Sequence, residues 1–469
     1  MMKMNLLLKL AIAVFVFGLS NASLTFATEQ SADEPEPAGE TKEGGDNPEM
    51  PPGILPIPGY GDHISIRSYL TGDWNGKRTE LASDHGFQWD IDSVTWTDQA
   101  LSGGSTDDLE FGGNLTYNLN WDLMRAGILP GALLTLRAET RWGSSGILNT
   151  GQAVPMNTAA LTPTNYTDFD AGYSLALTQL TYLQMLSEKF GVIGGKFDLF
   201  GDGDFNEFAT GRGRTQFMNW SMNYGTAQLI VPASTLGVGV VFLPNSQLNI
   251  SSLLTSGTEC VHSSCFDDLD DKGGVSITSA TYQYQLGGKP GGVTGAFIYL
   301  FDMDFETLDG DLPIPPPPGF KPSPNKSTSW VAGGSFWQYI STKETHEGPL
   351  NLMNMKQDLA GWGIFGRLTL ADDETNPWKT SVALGMGARG IAASRPNDAF
   401  GFGYFYNKET VNTIEGALER TPNGKGVEGY YNLAIVPSVM LSLNLQYIKS
   451  ILPLVDNTFM VSTRLQVVF

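Results

Sequence analysis

From Phe87 to the last residue the chain repeats one pattern, short segments in which apolar side chains alternate with polar ones. Phe111, Leu115, Tyr117, Leu119 and Trp121 alternate with Asn114, Thr116, Asn118 and Asn120. One face is apolar and the other amide-rich, which is the pattern of a two-sided strand. Leu134, Leu136, Ala138, Thr140 and Trp142 stand opposite Thr135, Arg137, Glu139 and Arg141, and a tight turn over 127–131 joins the two segments. Ile193, Phe197 and Leu199 oppose Lys196 and Asp198, and Leu441, Leu443, Leu445 and Tyr447 oppose Ser442, Asn444 and Gln446. Further runs lie near 87–96, 236–242, 248–254, 293–301, 362–370 and 380–388. Helical periodicity is confined to 75–85, where Gly86 is placed to end the helix.

The polar faces carry Asn, Gln, Ser, Thr and Gly, and only 16% of the 469 residues are charged. A soluble sandwich of this size would put more charge on its exterior. Turning the sheet inside out removes the difficulty. Apolar faces then meet lipid, polar faces enclose water, and closure leaves no unpaired backbone edge in hydrocarbon. The expected fold is therefore all-β, a transmembrane antiparallel β-barrel preceded by a short helix. Aromatic residues near strand ends, Trp121, Trp142, Tyr447 and Phe459, fit interfacial girdles, although each alone fits an ordinary β core equally well.

The first residues have the form of an export signal. Lys3 and Lys9 flank its start, 10–19 is apolar, and small residues follow, with cleavage placed after Ala27. No other segment approaches the ~18 apolar residues a spanning helix needs. Residues 28–53 form an acidic, Pro-rich leader. Eight acids stand against Lys42 over 28–49, with almost nothing apolar to order them. The leader reads as solvated, with recruitment of a basic partner as the alternative. Residues 54–469 are the barrel. At the other end Val467, Leu465, Val461 and Phe459 alternate with Gln466, Arg464, Ser462 and Met460, and the chain stops at Phe469, as a barrel-closing strand of an outer-membrane protein does. Localisation in the bacterial outer membrane follows.

Three stretches resemble the carbohydrate-selective porins of the OprB family. Residues 72–81 (GDWNGKRTEL) resemble its N-terminal motif. Residues 194–209 (GGKFDLFGDGDFNEFA) with 214–219 (RTQFMN) resemble its central motif, and 427–448 (VEGYYNLAIVPSVMLSLNLQYI) its penultimate hairpin. The resemblance spans residues 70 to 469. It implies about 16 strands around one lumen, which a body of this length accommodates at roughly 25 residues per strand and connection. It also implies passive diffusion of sugars through a water-filled constriction, with no energy source and no covalent chemistry. Such a wall needs many weak donors and acceptors, so that a sugar exchanges water hydrogen bonds for wall hydrogen bonds and still leaves.

Candidates for the constriction or for sugar contact are Arg137, Glu139 and Arg141 on one strand face and Lys196, Asp198, Asn206, Glu207, Arg212 and Arg214 around the central motif. Trp74 and Arg78 from the first motif stand below them. Arg forks and carboxylates bind vicinal hydroxyls through charge-assisted bonds. The plainer role for each is an ion pair that stabilises the wall.

Other signals are weaker. Asp202, Asp204 and Asn206 match the opening of a calcium loop, but Glu207 and Gly213 occupy the positions that need glycine and an acid. Asp267, Asp268, Asp270 and Asp271 read as a solvated acidic loop, or as anion repulsion at a pore mouth. Cys260 and Cys265, the only cysteines, read as a local disulfide in an oxidising compartment. His262 between them lacks a fourth partner for a metal. The Pro-rich 313–324 stretch is a stiff connection. No cofactor, metal or enzyme motif stands out, and the net charge of −21 excludes nucleic acid as a partner. The same charge mildly favours cations over anions. A broad-specificity or cation-preferring channel, and an occluded barrel that binds or supports structure, remain as alternatives. Outer-membrane lipid and permeating sugars are the expected partners, and homo-oligomerisation stays open.

Overall fold

The computed structural model describes residues 53–60, 69–143, 154–161, 175–201, 206–266, 269, 272–305, 307, 326–343, 359–410, 423–450 and 455–469. The expected export signal, the leader up to residue 52, Asp202, Asp204, the aspartates at 267, 268, 270 and 271 and the Pro-rich 313–324 stretch lie outside these residues.

Among the described residues, sixteen antiparallel strands form one closed barrel in which every strand pairs with its neighbours in sequence. They are β1 (Phe87–Ser102), β2 (Glu110–Asp122), β3 (Ala132–Gly143), β4 (Ala176–Met185), β5 (Phe190–Asp198), β6 (Ser234–Asn245), β7 (Leu248–Ser256) and β8 (Gly274–Leu286), followed by β9 (Lys289–Phe305), β10 (Lys326–Thr342), β11 (Gly361–Ala371), β12 (Trp378–Arg389), β13 (Ala399–Glu409), β14 (Asn423–Val436), β15 (Val439–Lys449) and β16 (Thr458–Val468). The last strand closes on the first. Asp92 stands opposite Val468 and Ala100 opposite Met460, and Phe469 N–H donates to the Ile91 carbonyl at 2.9 Å. Each strand predicted from alternation is present.

The inversion is explicit in the burial. On β15, Leu443 is 48% exposed while its neighbour Asn444 is fully buried. Leu441, Leu445 and Tyr447 share the exposed row, and Ser442 and Gln446 share the buried one. Trp142 also faces outward. Apolar outside and amide inside is the arrangement the alternation required. One rim of the barrel carries mostly short connections, such as those at 186–189, 246–247, 287–288 and 437–438. The opposite rim carries the long ones, including 144–175 and 199–233.

A helix precedes the barrel, as the sequence indicated. Helix α1 (Lys77–Asp84) starts where the Asp73 carboxylate accepts from Thr79 N–H (2.8 Å) and Thr79 Oγ1 (2.8 Å), and Gly86, at φ 66°, ends it. Arg78 from this helix fastens the start of the barrel to the residue that follows its last strand. Its guanidinium lies within 4.2–4.5 Å of the Tyr60, Tyr69 and Trp89 rings and 5.7 Å from Trp74. It also donates to the Trp89 carbonyl (2.6 Å) and to the Phe469 carbonyl (3.4 Å). Burial lowers its pKa, and the nearby tyrosines and Asp90 oppose this. The preceding peptide is strapped to the same rim, because Ile54 and Leu55 N–H donate to Asp122 Oδ2 at 2.6 and 2.9 Å.

Replacing Arg78 by Ala removes a desolvated cation–π cage and the carbonyl bonds together. The expected loss is on the order of 2–4 kcal/mol of unfolding free energy, read from urea titration of the vesicle-embedded barrel. An unchanged midpoint contradicts the clamp.

Candidate functional site

Two of the long connections do not stay outside the barrel. Residues 154–161 and 206–231 fold into its interior and hold each other. Thr158 N–H and Oγ1 both donate to the Met218 carbonyl at 2.7 Å, and Trp220 N–H donates to the Pro155 carbonyl at 2.9 Å. Short helical turns build the segments locally. Helix α2 (Trp220–Asn223) is capped by Asn219, whose side-chain oxygen accepts from Ser221 N–H at 2.9 Å. A 3-10 turn covers Thr226–Ile230. Apolar residues of the inserted chain, Phe208, Phe217, Met222 and Met156, pack on inward-facing Trp337, Phe365, Phe405, Tyr430 and Ile448.

Charge fastens one side. Arg212 and Arg214, on the inserted segment, meet carboxylates of three wall strands. Arg212 Nη2 lies 3.1 Å from Glu139 Oε1 and 3.0 Å from Asp198 Oδ2. Arg214 lies 3.3 Å from Asp92 Oδ2 and 3.8 Å from Glu139. Arg137 completes the group at 3.3 Å from Asp198 and donates from Nε to Asn118 Oδ1 at 3.0 Å. Three guanidinium groups therefore face three carboxylates with no formal excess of either sign. Burial would lower the Arg212 pKa, but Asp198 and Glu139 more than offset it and hold the group above its ordinary value. Pairing of this kind is what lets charge persist on side chains this buried.

Hydrogen bonds fasten the other side. Glu428, fully buried on the inner face of β14, accepts Met218 N–H at 2.5 Å, Asn219 N–H at 3.1 Å and Asn444 Nδ2 at 2.6 Å. Its register partner Gln446 accepts from Asn219 Nδ2 (3.1 Å) and donates to the Met156 carbonyl (3.0 Å) of the other inserted segment. Arg464 on β16 donates to the Gly213 and Gln216 carbonyls, and Asn432 to the Thr215 carbonyl. The polar inner face of the β14–β15 hairpin is thus a receptor for both inserted segments.

Of the residues singled out in the sequence, Arg137, Glu139, Asp198, Arg212 and Arg214 come together in the charged group. Arg141 stands nearby and donates to the Ala160 carbonyl at 2.7 Å. The others stand elsewhere. Asn206 and Glu207 are docked on the wall, Asn206 donating to the Phe336 carbonyl (3.0 Å) and Glu207 accepting Tyr339 O–H (2.8 Å). Trp74 and Arg78 belong to the rim clamp. Lys196 does not share a lumen row with the charged group. It is in register with Leu180 and Leu236, in a β6 row that continues through exposed Val240 and Phe242, and cross-strand partners share a face. Its ammonium donates to the carbonyls of Cys260 (2.7 Å), Ser263 (2.9 Å) and Val261 (3.3 Å). The loop bridged by the Cys260–Cys265 disulfide thereby covers a charge on the outward row. Nearby Glu259 is raised in pKa by burial, against the amides of Ala233 and Ser234 that bond it. Sequence reasoning singled out neither Asp92 nor Glu428, and it placed Arg464 on the polar face without its contacts to the Gly213 and Gln216 carbonyls. For Glu428 and Arg464 the available signal was a lone charge on an otherwise neutral strand face, whereas Asp92 shares its row with Asp90 and Asp98.

A closed barrel of sixteen strands with chain folded into its lumen defines a porin. The family model described as carbohydrate-selective porin, OprB family, matches residues 106–469, and the chain belongs to that family. It is an outer-membrane channel for diffusion of carbohydrates rather than an enzyme. The fold is similar to the high-pH structure of OprB from Pseudomonas putida, with a TM-score of 0.68 at 20% identity over 86% of this chain and 98% of that one. The low-pH structure of the same protein gives 0.53 at 15% identity, over 86% and 98%. No curated protein sequence matches the chain. In proteins of this architecture short turns face the periplasm and long loops the exterior, so the Arg78 clamp lies on the periplasmic rim.

Glu428→Gln leaves volume unchanged but sets an amide donor against one of the two backbone N–H groups, which donate to different carboxylate oxygens. Losing those charge-assisted bonds is expected to cost about 1.5–3 kcal/mol in urea unfolding of the reconstituted porin. Stability equal to the parent would show that the carboxylate does not hold the inserted segment.

Proposed function

We propose that sugars pass along the side of the lumen that the inserted segments leave open, with its narrowest zone beside the Arg137, Arg212, Arg214, Asp92, Glu139 and Asp198 group. The observation that carries this reading is the charge balance of that group together with the wall next to it. Asp90, Asn118, Asn120, Thr135 and Gln179 on the first four strands, and Thr210, Thr215 and Gln216 on the inserted segment, are only half-buried. They are linked laterally, Asn118 Nδ2 donating to Asp90 Oδ1 at 2.8 Å and Thr135 Oγ1 to Asn120 Oδ1 at 3.0 Å. A neutral polyhydroxylated solute finds donors and acceptors at short spacing there, beside six charges that cancel one another, with Asp90 the one charged member of these wall residues. Asp90, Asn118, Asn120, Thr135, Gln179 and Gln216 are already partly satisfied by their neighbours, so a sugar hydroxyl gains little over water and leaves readily.

On the same proposal residues 1–27 direct export and are removed, residues 28–53 are an acidic leader, and the exposed apolar rows contact outer-membrane lipid. Nothing in the passage of sugar requires a second subunit.

Planar-bilayer currents test the assignment. Neutral monosaccharides are expected to block the open-channel current. Glu139→Gln leaves the group one positive charge in excess, and Arg214→Gln one negative. Each is expected to move the anion-to-cation permeability ratio about tenfold, toward anions and cations respectively, because one unit charge ~6 Å away in a water-like medium favours one ion about threefold and disfavours the other about threefold. Unchanged selectivity and blockade in both variants would remove the group from the permeation path.

A further inference from the structure

Among the contacts of the inserted segment with the far wall are those of four consecutive residues, 206–209, and the wall is cut to receive one of them. Gly363 on β11 and Gly387 on β12 face each other in register. The Phe208 ring lies directly over both. A Cβ at Gly387 would stand 2.7 Å from Phe208 Cδ1, with its three nearest neighbours all on the Phe208 side chain, whereas one at Gly363 would stand 2.5 Å from Phe208 Cε2 and closer still to the Gln338 carbonyl oxygen of the wall. The ring therefore excludes any side chain at Gly387 while it is seated, and ring and wall together exclude one at Gly363. Neither glycine has the left-handed backbone that would otherwise call for it, so close approach of the ring is what Gly387 accommodates. Tyr339 closes the notch edge-on, with ring centroids 4.9 Å apart. Around it, Asn206 Nδ2 bonds the Phe336 carbonyl, Glu207 accepts from Tyr339 and Arg367 Nη2 donates to the Ala209 carbonyl at 2.9 Å.

We infer that Phe208 is a positioning residue for permeation. Seated in the Gly363–Gly387 notch, it fixes how far residues 210–216 extend across the lumen, and so sets the width and polar lining of the narrow zone. The inference rests on the proposed permeation path. The chain leaves the notch at Ala209 and within a few residues presents half-buried Thr210, then Arg212 and Arg214 to the opposite carboxylates. The ring therefore anchors one end of a short span whose other end makes the charged contacts. Polar bonds hold the span in orientation, and the ring holds it in depth, since hydrogen bonds to the wall tolerate sliding more readily than a filled notch does.

The test removes the key and, separately, blocks the lock. Full-length Phe208→Ala and Gly387→Ala porins are reconstituted in planar bilayers, and barrel integrity is verified by heat-modifiable migration. Both are expected to raise the monosaccharide concentration that half-blocks the current by about tenfold, because the competent arrangement becomes a minor one. Small-ion conductance is expected to rise as the span retreats. The double variant is expected to be no worse than Phe208→Ala, and Phe208→Leu to fall between parent and Ala. If a variant fails to fold, the Leu substitution carries the test. Half-blocking concentration and conductance unchanged in the folded variants would overturn the inference alone, provided Arg214→Gln still shifts selectivity. If Arg214→Gln is silent as well, the permeation path itself fails.

Discussion

Everything in this protein depends on the pairing of β16 with β1. A sheet placed in hydrocarbon cannot leave an edge, because each unpaired N–H or C=O there costs several kcal/mol. Asp92 to Ser102 stand against Val468 to Phe459, with one irregularity near the outer end, and no strand among the described residues is left without two partners. Only once the ring is closed do the faces become inside and outside. The alternation that would build one half of a sandwich in a soluble protein then builds a wall with lipid on one side and water on the other. The Arg78 clamp stands at this seam, holding helix, first strand and last carbonyl together.

Closure creates a space too wide for wall side chains to fill, and the inserted segments divide it. They are held by two kinds of chemistry on opposite walls. Toward β1, β3 and β5 the contacts are ionic and balanced. Toward β10–β16 they are apolar packing with directed hydrogen bonds, among them the Glu428 carboxylate and the Arg464 guanidinium. Apolar packing and backbone hydrogen bonds fix position without offering a passing sugar much to bind. The balanced ionic side, bordered by half-buried amides and hydroxyls, is the side with chemistry that suits one. Stability and permeability are thus separated around the circumference of one barrel.

Much of the architecture was legible because strand periodicity is a local property. Leu441, Leu443, Leu445 and Tyr447 against Ser442, Asn444 and Gln446 fix both a strand and its two faces, and Gly86 ends the helix that Asn75–His85 outlines. The site was legible only in part. Glu139, Arg212 and Arg214 stood out as charges near the central motif, and they do meet. What alternation could not show is which distant segment satisfies a charge. Lys196 alternates as a lumen residue would, yet three carbonyls of the disulfide loop enclose it on the outward row. Asn206 and Glu207 carry polar groups suited to sugars, and wall partners more than a hundred residues away consume them. Glu428 escaped notice for the complementary reason, since its partners on the inserted segment are backbone amides, which leave no trace in the identity of residues 218 and 219.

The most direct measurement of the central claim is osmotic swelling of liposomes that contain the purified, folded porin, with neutral sugars of rising size as the only external solute. Passage through a hydrated, loop-narrowed lumen predicts rapid swelling in monosaccharides and a steep fall in rate for longer oligosaccharides. Liposomes that hold a correctly folded barrel and yet stay unswollen in every sugar would mean that the lumen is shut, and would contradict the account.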